Sequence, residues 1–282
     1  MDVKISASDV KKLRDQTGAG MMDCKKALTE ADGDFAKAIE NLRKKGQKLS
    51  DKRADRETKE GVVMALTSDN RNNGVVLRLG CETDFVAKTD GFINLTKSIA
   101  EIALKNLPET TEELLALPFN GELSVGDKIT EQVGVIGEKL NLSGYSKLVT
   151  AAGEGQVIPY IHMGYRAGVI VSFNVDGDNV VDPGKDVAMQ IAAMRPVAVD
   201  KDGIDPSIIE KEIEIGKEVA RQEGKPEAML EKIAMGKLNK FYKERTLLNQ
   251  MFVKNNKQTI AAYLQSVDPK LTVVDFKHVE LG

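Results

Sequence analysis

The sequence predicts an α+β fold: a small three-helix unit, then a two-part core of antiparallel sheets with helices, and a projecting antiparallel helical hairpin. Three observations carry that reading. The first residues hold apolar positions at helical spacing, punctuated by Gly18-Ala19-Gly20 and Asp32-Gly33-Asp34. Two later stretches share one plan, a hairpin of apolar strands followed by a helix. A Lys/Glu-rich stretch from Asp205 to Glu244 carries a thin apolar seam with Gly224-Lys225-Pro226 in its middle. The boundaries expected from these signals are residues 1–54, including a basic linker, 55–145 and 146–282, with the arm at about 205–246.

The first helix is announced by a capping signal, Ser6 to Asp9, and given an apolar edge by Val10 and Leu13. A second runs from Met21 to about Ala31, with Met21, Cys24, Ala27, Leu28 and Ala31 on one face. Met22 falls on the opposite face, which makes it an exposed large apolar residue on a polar surface. The third helix carries Phe35, Ala38, Ile39 and Leu42 on one side. So small a unit has little stability alone. From Arg43 to Lys59 apolar residues almost vanish, leaving a linker or a solvated helix extension whose basic character suits solvent, an acidic partner or RNA.

In the first half of the core, Gly61–Leu66 and Val75–Leu79 read as strands joined by a turn at Asn70–Gly74, with a helix after Asp90-Gly91. The second half repeats this with Val157–His162, a turn near Gly164, Gly168–Val175 and a helix from about Asp186 to Met194. A helical region, about Glu112 to Leu140, and a candidate strand, Lys147–Thr150, lie between. In the arm, Ile208, Ile209, Ile213, Val219 and Ala220 precede the reversal and Met229, Leu230, Ile233, Ala234, Leu238 and Phe241 follow it. Val273–Val279 alternates and is expected to be a last strand, paired in the second sheet.

Bulk properties narrow the function. At 282 residues with 41% hydrophobic and 29% charged side chains, the chain has the composition of an ordinary soluble protein. A net charge of -3 argues against a dedicated nucleic-acid binder, which carries a basic excess to neutralise phosphates. Cys24 and Cys81 are far apart and no secretory signal opens the chain, which fits two free thiols in the cytoplasm. No apolar run reaches about 18 residues, so no membrane span is expected.

Catalytic material is scarce. His162 and His278 are the sole histidines, and no pair of His or Cys has metal-ligand spacing. Neither a phosphate loop nor a dinucleotide fingerprint occurs, so no nucleotide, metal or other cofactor is expected. Cys81 has no general base nearby in sequence and reads more simply as a buried thiol. His162, at a strand end, is either a partner contact or an ordinary packed or solvated histidine.

The most informative stretch is Cys81-Glu82-Thr83-Asp84-Phe85-Val86-Ala87-Lys88, a connector between a strand and a helix. Binding residues concentrate on such connectors. Phe85 either packs on the end of its strand, the commoner fate of a large aromatic, or stands out as a contact residue. Exposed Met22, hinge Phe85, the basic stretch and the arm are together the surfaces of an interaction protein.

Two blocks resemble a known family. Leu13-Arg14-Asp15-Gln16-Thr17-Gly18-Ala19-Gly20-Met21-Met22-Asp23-Cys24-Lys25-Lys26-Ala27-Leu28 is similar to the N-terminal signature of the bacterial elongation factor Ts family, and Cys81–Lys88 to its second signature. Tyr160-Ile161-His162-Met163-Gly164-Tyr165-Arg166-Ala167-Gly168 resembles a third, weaker segment. The resemblance runs from Met1 to Gly282 and implies a ubiquitin-associated-like fold for the first three helices. It implies guanine-nucleotide exchange on elongation factor Tu, bound with GDP or free of nucleotide, with no covalent chemistry and no direct nucleic-acid partner. Core contacts also form a homodimer in some members.

The family's wedge phenylalanine matches Phe85, which would insert near the magnesium and phosphate site of the GTPase, shaped by the matching neighbours Thr83, Asp84 and Val86. Met21 and Met22 match the N-terminal contact, and His162 a contact from the second half of the core. Some members continue into a further helical module, whereas this sequence stops at Val279-Glu280-Leu281-Gly282, so that contact is expected to be absent. Two readings from other classes stand beside the resemblance: a ubiquitin-like or RNA-binding adaptor using the three-helix unit and basic linker, and an enzyme using Cys81.

Overall fold

The computed structural model describes residues 5–121 and 123–282. Three helices open the chain: α1 (Ala7–Thr17), α2 (Met21–Glu30) and α3 (Phe35–Lys52). Ser6 and Asp9 form the expected capping box on α1, each side chain accepting from the other's backbone N–H, and Asp34 caps α3. Val10, Leu13, Cys24, Ala27, Leu28 and Ala38 meet in a core between the three helices. Residues 43–52 of the charged stretch belong to α3, so most of it is helix extension rather than open connector. Nor is that extension wholly solvated, because Gly46 is buried and Leu49 packs on the core beyond.

After α3 come the hairpin β1 (Glu60–Thr67) and β2 (Asn73–Cys81), the single turn α4 (Asp84–Ala87), and α5 (Asp90–Asn106). The stretch expected to be helical from Glu112 to Leu140 is broken: α6 (Thr111–Ala116), a short hairpin of β3 (Pro118–Asn120) and β4 (Leu123–Ser124), then α7 (Val125–Ile136). The strand expected at Lys147–Thr150 is β5, and it is longer, Asn141–Val149. It forms the far edge of a sheet ordered β1-β2-β5, where outward polar residues such as Ser143 are tolerated and hide the strand signal.

The second half contains β6 (Gln156–Ile161), β7 (Ala167–Phe173) and α8 (Val181–Met194). That helix starts five residues before Asp186 because Pro183 lies in its first turn, where no intrahelical donor is needed. Then come the arm helices α9 (Pro206–Gln222) and α10 (Glu227–Arg245), a small hairpin of β8 (Met251–Phe252) and β9 (Asn255–Thr259), α11 (Ile260–Val267) and β10 (Val273–Glu280). The last strand pairs with β7 in a sheet ordered β10-β7-β6, as its alternation suggested.

Alternate side chains explain the layering. Val62, Met64, Val75, Leu77 and Leu79 point to α5 and α7, while Val63, Ala65 and Val76 point the other way. In the second sheet Ile158, Val169, Val171 and Phe173 face α8 and α11, and Val157 and Ile170 face back. The two sheets therefore pack face to face between helical layers, which is why their strands read as unbroken apolar runs. A Cβ on Gly168 would meet Val63 Cγ1 at 2.8 Å, so this position needs glycine for the sheets to approach. The arm uses the same device: buried Gly216 lies against Ala234, with Ala220, Leu230 and Leu238 completing a narrow seam. Salt bridges Arg221–Glu227 and Lys237–Glu223 cross between its helices.

Candidate functional site: a clamped turn presenting Phe85

β2 continues through Gly80 to Cys81, and the connector that follows is not loose. Thr83 is the N-cap of α4, its Oγ1 accepting from the Val86 N–H at 3.5 Å, and Thr89 caps α5 directly afterwards by accepting from the Phe92 N–H. Asp84 pairs with Lys88 at 2.6 Å, and the Lys88 ammonium holds its carboxyl below the usual range. Ala87 is buried and Val86 packs on the helix-facing core of the first sheet. Phe85, between them, is 81% exposed. Burial on the strand end is thus ruled out for this aromatic; one turn of helix between two caps holds it in solvent.

Charged residues far away in sequence pin the turn from below. Glu138, just past the Gly137 that ends α7, accepts from the backbone N–H groups of Glu82 and Thr83 at 3.0 Å each and from Thr83 Oγ1 at 2.6 Å. In return, Glu82 accepts from the Lys139 N–H at 2.7 Å and from Arg53 at 2.5 Å. Burial pushes the Glu82 carboxyl up, but the Lys139 amide and the Arg53 and Arg56 guanidinium groups outweigh it and hold it below its usual value. Lys139 Nζ reaches the carbonyls of Ala54 and Arg56, so the end of α3 is tied into the same cluster.

Cys81 Sγ donates to the Thr83 carbonyl at 3.2 Å. Burial, then the nearby Glu138 carboxylate, pushes this thiol up to about 12, and burial raises Cys24 as well. A buried, protonated thiol engaged as a donor is the opposite of an activated nucleophile, which removes the basis for an enzyme using Cys81. Among the described residues no group of three or more His, Cys, Asp or Glu could hold a metal ion, and no helix is long and apolar enough to cross a membrane.

His162 lies exposed in the turn between β6 and β7, its Nδ1 3.0 Å from the Tyr160 hydroxyl. The same turn carries Met163, 86% exposed and given no role by the sequence. Arg166 reaches Glu60 at 3.1 Å, and Glu60 is paired with Cys81 across the first sheet. The His162 turn and the Phe85 turn therefore stand at the same end of the double sheet. Met22 is 76% exposed on α2, as its angular position required. Met21, assigned to the apolar stripe, is 47% exposed, because it opens the helix where the stripe has not yet met its neighbours. Both belong to a separate element, joined to the core through α3.

What the sequence missed is Glu138, which sits 55 residues from Thr83 with no local pattern to mark it. Met163 has a signal in the sequence, an apolar residue beside the turn glycine Gly164.

The comparisons with known proteins agree along the chain. The family model for Elongation factor TS matches residues 82–282. Elongation factor Ts of Amoebophilus asiaticus is 52% identical over 279 residues, covering 99% of each chain, and that of Cytophaga hutchinsonii 53% identical over 279 residues with the same coverage. Elongation factor Ts of Clostridium botulinum is 43% identical over 286 residues, which span 99% of this chain and 92% of that one.

Proposed function

The chain belongs to the elongation factor Ts family, a family of translation elongation factors, and from that premise we propose that it binds elongation factor Tu with GDP and promotes GDP release and exchange for GTP. It does so in the cytoplasm and without making or breaking a bond. The observation that supports this reading best is Phe85, exposed on a turn whose own backbone is clamped on every side.

The physical problem is release. A nucleoside diphosphate held by a phosphate loop and a magnesium ion leaves slowly, because several favourable contacts must be lost together. An exchange factor must substitute contacts of its own. Burying a phenylalanine side chain contributes about 1.5–3 kcal/mol, and each 1.4 kcal/mol taken from the bound state speeds dissociation about tenfold. Phe85, inserted near the magnesium and phosphate site of the GTPase, offsets part of the lost ion and phosphate contacts. Its two side-chain torsions cost little entropy to fix. Thr83, Asp84 and Val86 shape the intrusion: Thr83 and Val86 set the turn, and Asp84, paired with Lys88, flanks the aromatic.

Met21 and Met22 extend the contact from α2, where an unbranched thioether adapts to a partner's surface, and His162 extends it from the second sheet. Binding is reciprocal, so GDP must weaken this protein's grip by the factor by which this protein weakens GDP. The test is release of a fluorescent GDP analogue from elongation factor Tu with and without this protein. Acceleration of about tenfold or more is expected, and an unchanged rate contradicts the reading.

A further inference from the structure

Phe85 makes the contact in the function proposed above, yet its own side chain is held by almost nothing. Its direction is set by the backbone on either side, and on the upstream side that backbone is fixed chiefly by one carboxylate. Glu138 Oε2 takes the N–H groups of both Glu82 and Thr83, and Oε1 takes the Thr83 hydroxyl. That last bond commits the hydroxyl proton to Glu138 and so leaves the oxygen's lone pairs to accept the Val86 N–H that starts α4. With Cys81 Sγ donating to the Thr83 carbonyl, every polar group of Thr83 is engaged.

The arrangement is reciprocal. Glu138 holds the backbone at residues 82 and 83, and Glu82 holds the backbone at residue 139. The clasp joins the end of α7 to the base of the turn, and through Arg53 and Lys139 it joins the end of α3 as well. Hydrogen bonds to a carboxylate are stronger than those between neutral groups, and this one carboxylate accepts three. Glu138 lies outside the three signature segments, Leu13–Leu28, Cys81–Lys88 and Tyr160–Gly168.

We propose that Glu138 is the positioning residue for Phe85: its carboxylate fixes the Glu82–Thr83 backbone and the Thr83 hydroxyl, and so aims the α4 turn that presents the aromatic. This rests on the exchange reading for its consequence, not for its geometry. Without the carboxylate, two N–H groups and a hydroxyl lose their acceptor, α4 loses the oriented cap at its start, and Phe85 samples directions other than the presented one. Glu138 acts only through Phe85 and is a positioning residue, not a contact.

The test has two arms. In the protein alone, amide hydrogen exchange at Thr83 and Val86 should quicken about tenfold or more in Glu138→Ala while the strand amides of Val62 and Leu77 keep their protection. In the nucleotide-release assay at saturating protein, Glu138→Ala should slow release about tenfold, and adding it to Phe85→Ala should cause no further loss. A purely structural role would lower both backgrounds alike. Should Glu138→Ala fail to fold, Glu138→Gln keeps the volume and one acceptor oxygen but turns an amide N–H₂ toward other donors, and an intermediate loss is expected in both arms. Unchanged amide exchange at Thr83 and Val86 overturns the proposal whatever the partner does. So does a loss that adds in full to that of Phe85→Ala. If the wild-type protein fails to accelerate release, the exchange reading falls, and the amide arm still decides for or against the clamp.

Discussion

Gly46 of α3 lies directly against Gly134 of α7: a Cβ on Gly134 would come within 2.9 Å of Gly46 Cα, and a Cβ on Gly46 within 2.7 Å of the Thr130 carbonyl oxygen. Backbone meets backbone, so neither side can yield by a rotamer change. This contact, rather than the charged stretch alone, seats the first three helices on the rest of the protein. Gly46→Ala should therefore destabilise the protein by about 1–3 kcal/mol, read from urea unfolding, or split off an early transition belonging to α1–α3. A change within about 0.5 kcal/mol in a single transition would show that the docking tolerates the extra methyl.

Acid should loosen the clasp under the Phe85 turn. Glu82 has a folded pKa held below its usual 4.5, so its ionised form favours the folded state. The stability it contributes is fully present above about 4.5 and is lost as pH falls through the lower folded value. In Glu82→Gln, unfolding free energy measured against pH should fall less steeply below 4.5 than in the wild type. Identical acid slopes would mean that the pairing with Arg53 and Lys139 carries no net stability.

Both thiols should be silent in the folded protein. Cys24 and Cys81 are fully buried and their thiols are raised, Cys81 to about 12. With a soluble disulfide reagent at about pH 8, neither should react on the timescale of minutes until denaturant is added, when both should react at once. Rapid labelling of Cys81 in the native state would show that the Phe85 turn opens far more often than its bonding indicates.

Much of this architecture could be read from the residues, and the exceptions share a cause. The hairpin β1–β2 was visible because both faces of its strands are buried, giving the run Val75-Val76-Leu77. Met22 was visible because helical geometry alone fixes its side. The arm was visible because Gly224-Lys225-Pro226 divides two periodic runs. Hidden features depend on partners distant in sequence: the first six residues of β5 are legible only once β2 lies beside them, and α8 begins across a Pro183-Gly184 pair that usually signals a break. The face-to-face seating of the sheets and the Glu138 clasp belong to the same group, since nothing local to either segment announces the other. Phe85 is marked in the sequence by its place on a connector and the resemblance supplies its role, but its exposure is legible only in the folded turn.

Phe85 should work only when a partner covers it. Phe85→Ala removes an aromatic that is 81% exposed in the protein alone, so its unfolding free energy should stay within about 0.5 kcal/mol of the wild type. The decisive measurement is the rate of fluorescent GDP release from elongation factor Tu at saturating Phe85→Ala protein. The rate should be about tenfold to a hundredfold slower than with the wild type, the loss of about 1.5–3 kcal/mol of aromatic burial. Release as fast as with the wild-type protein would contradict it.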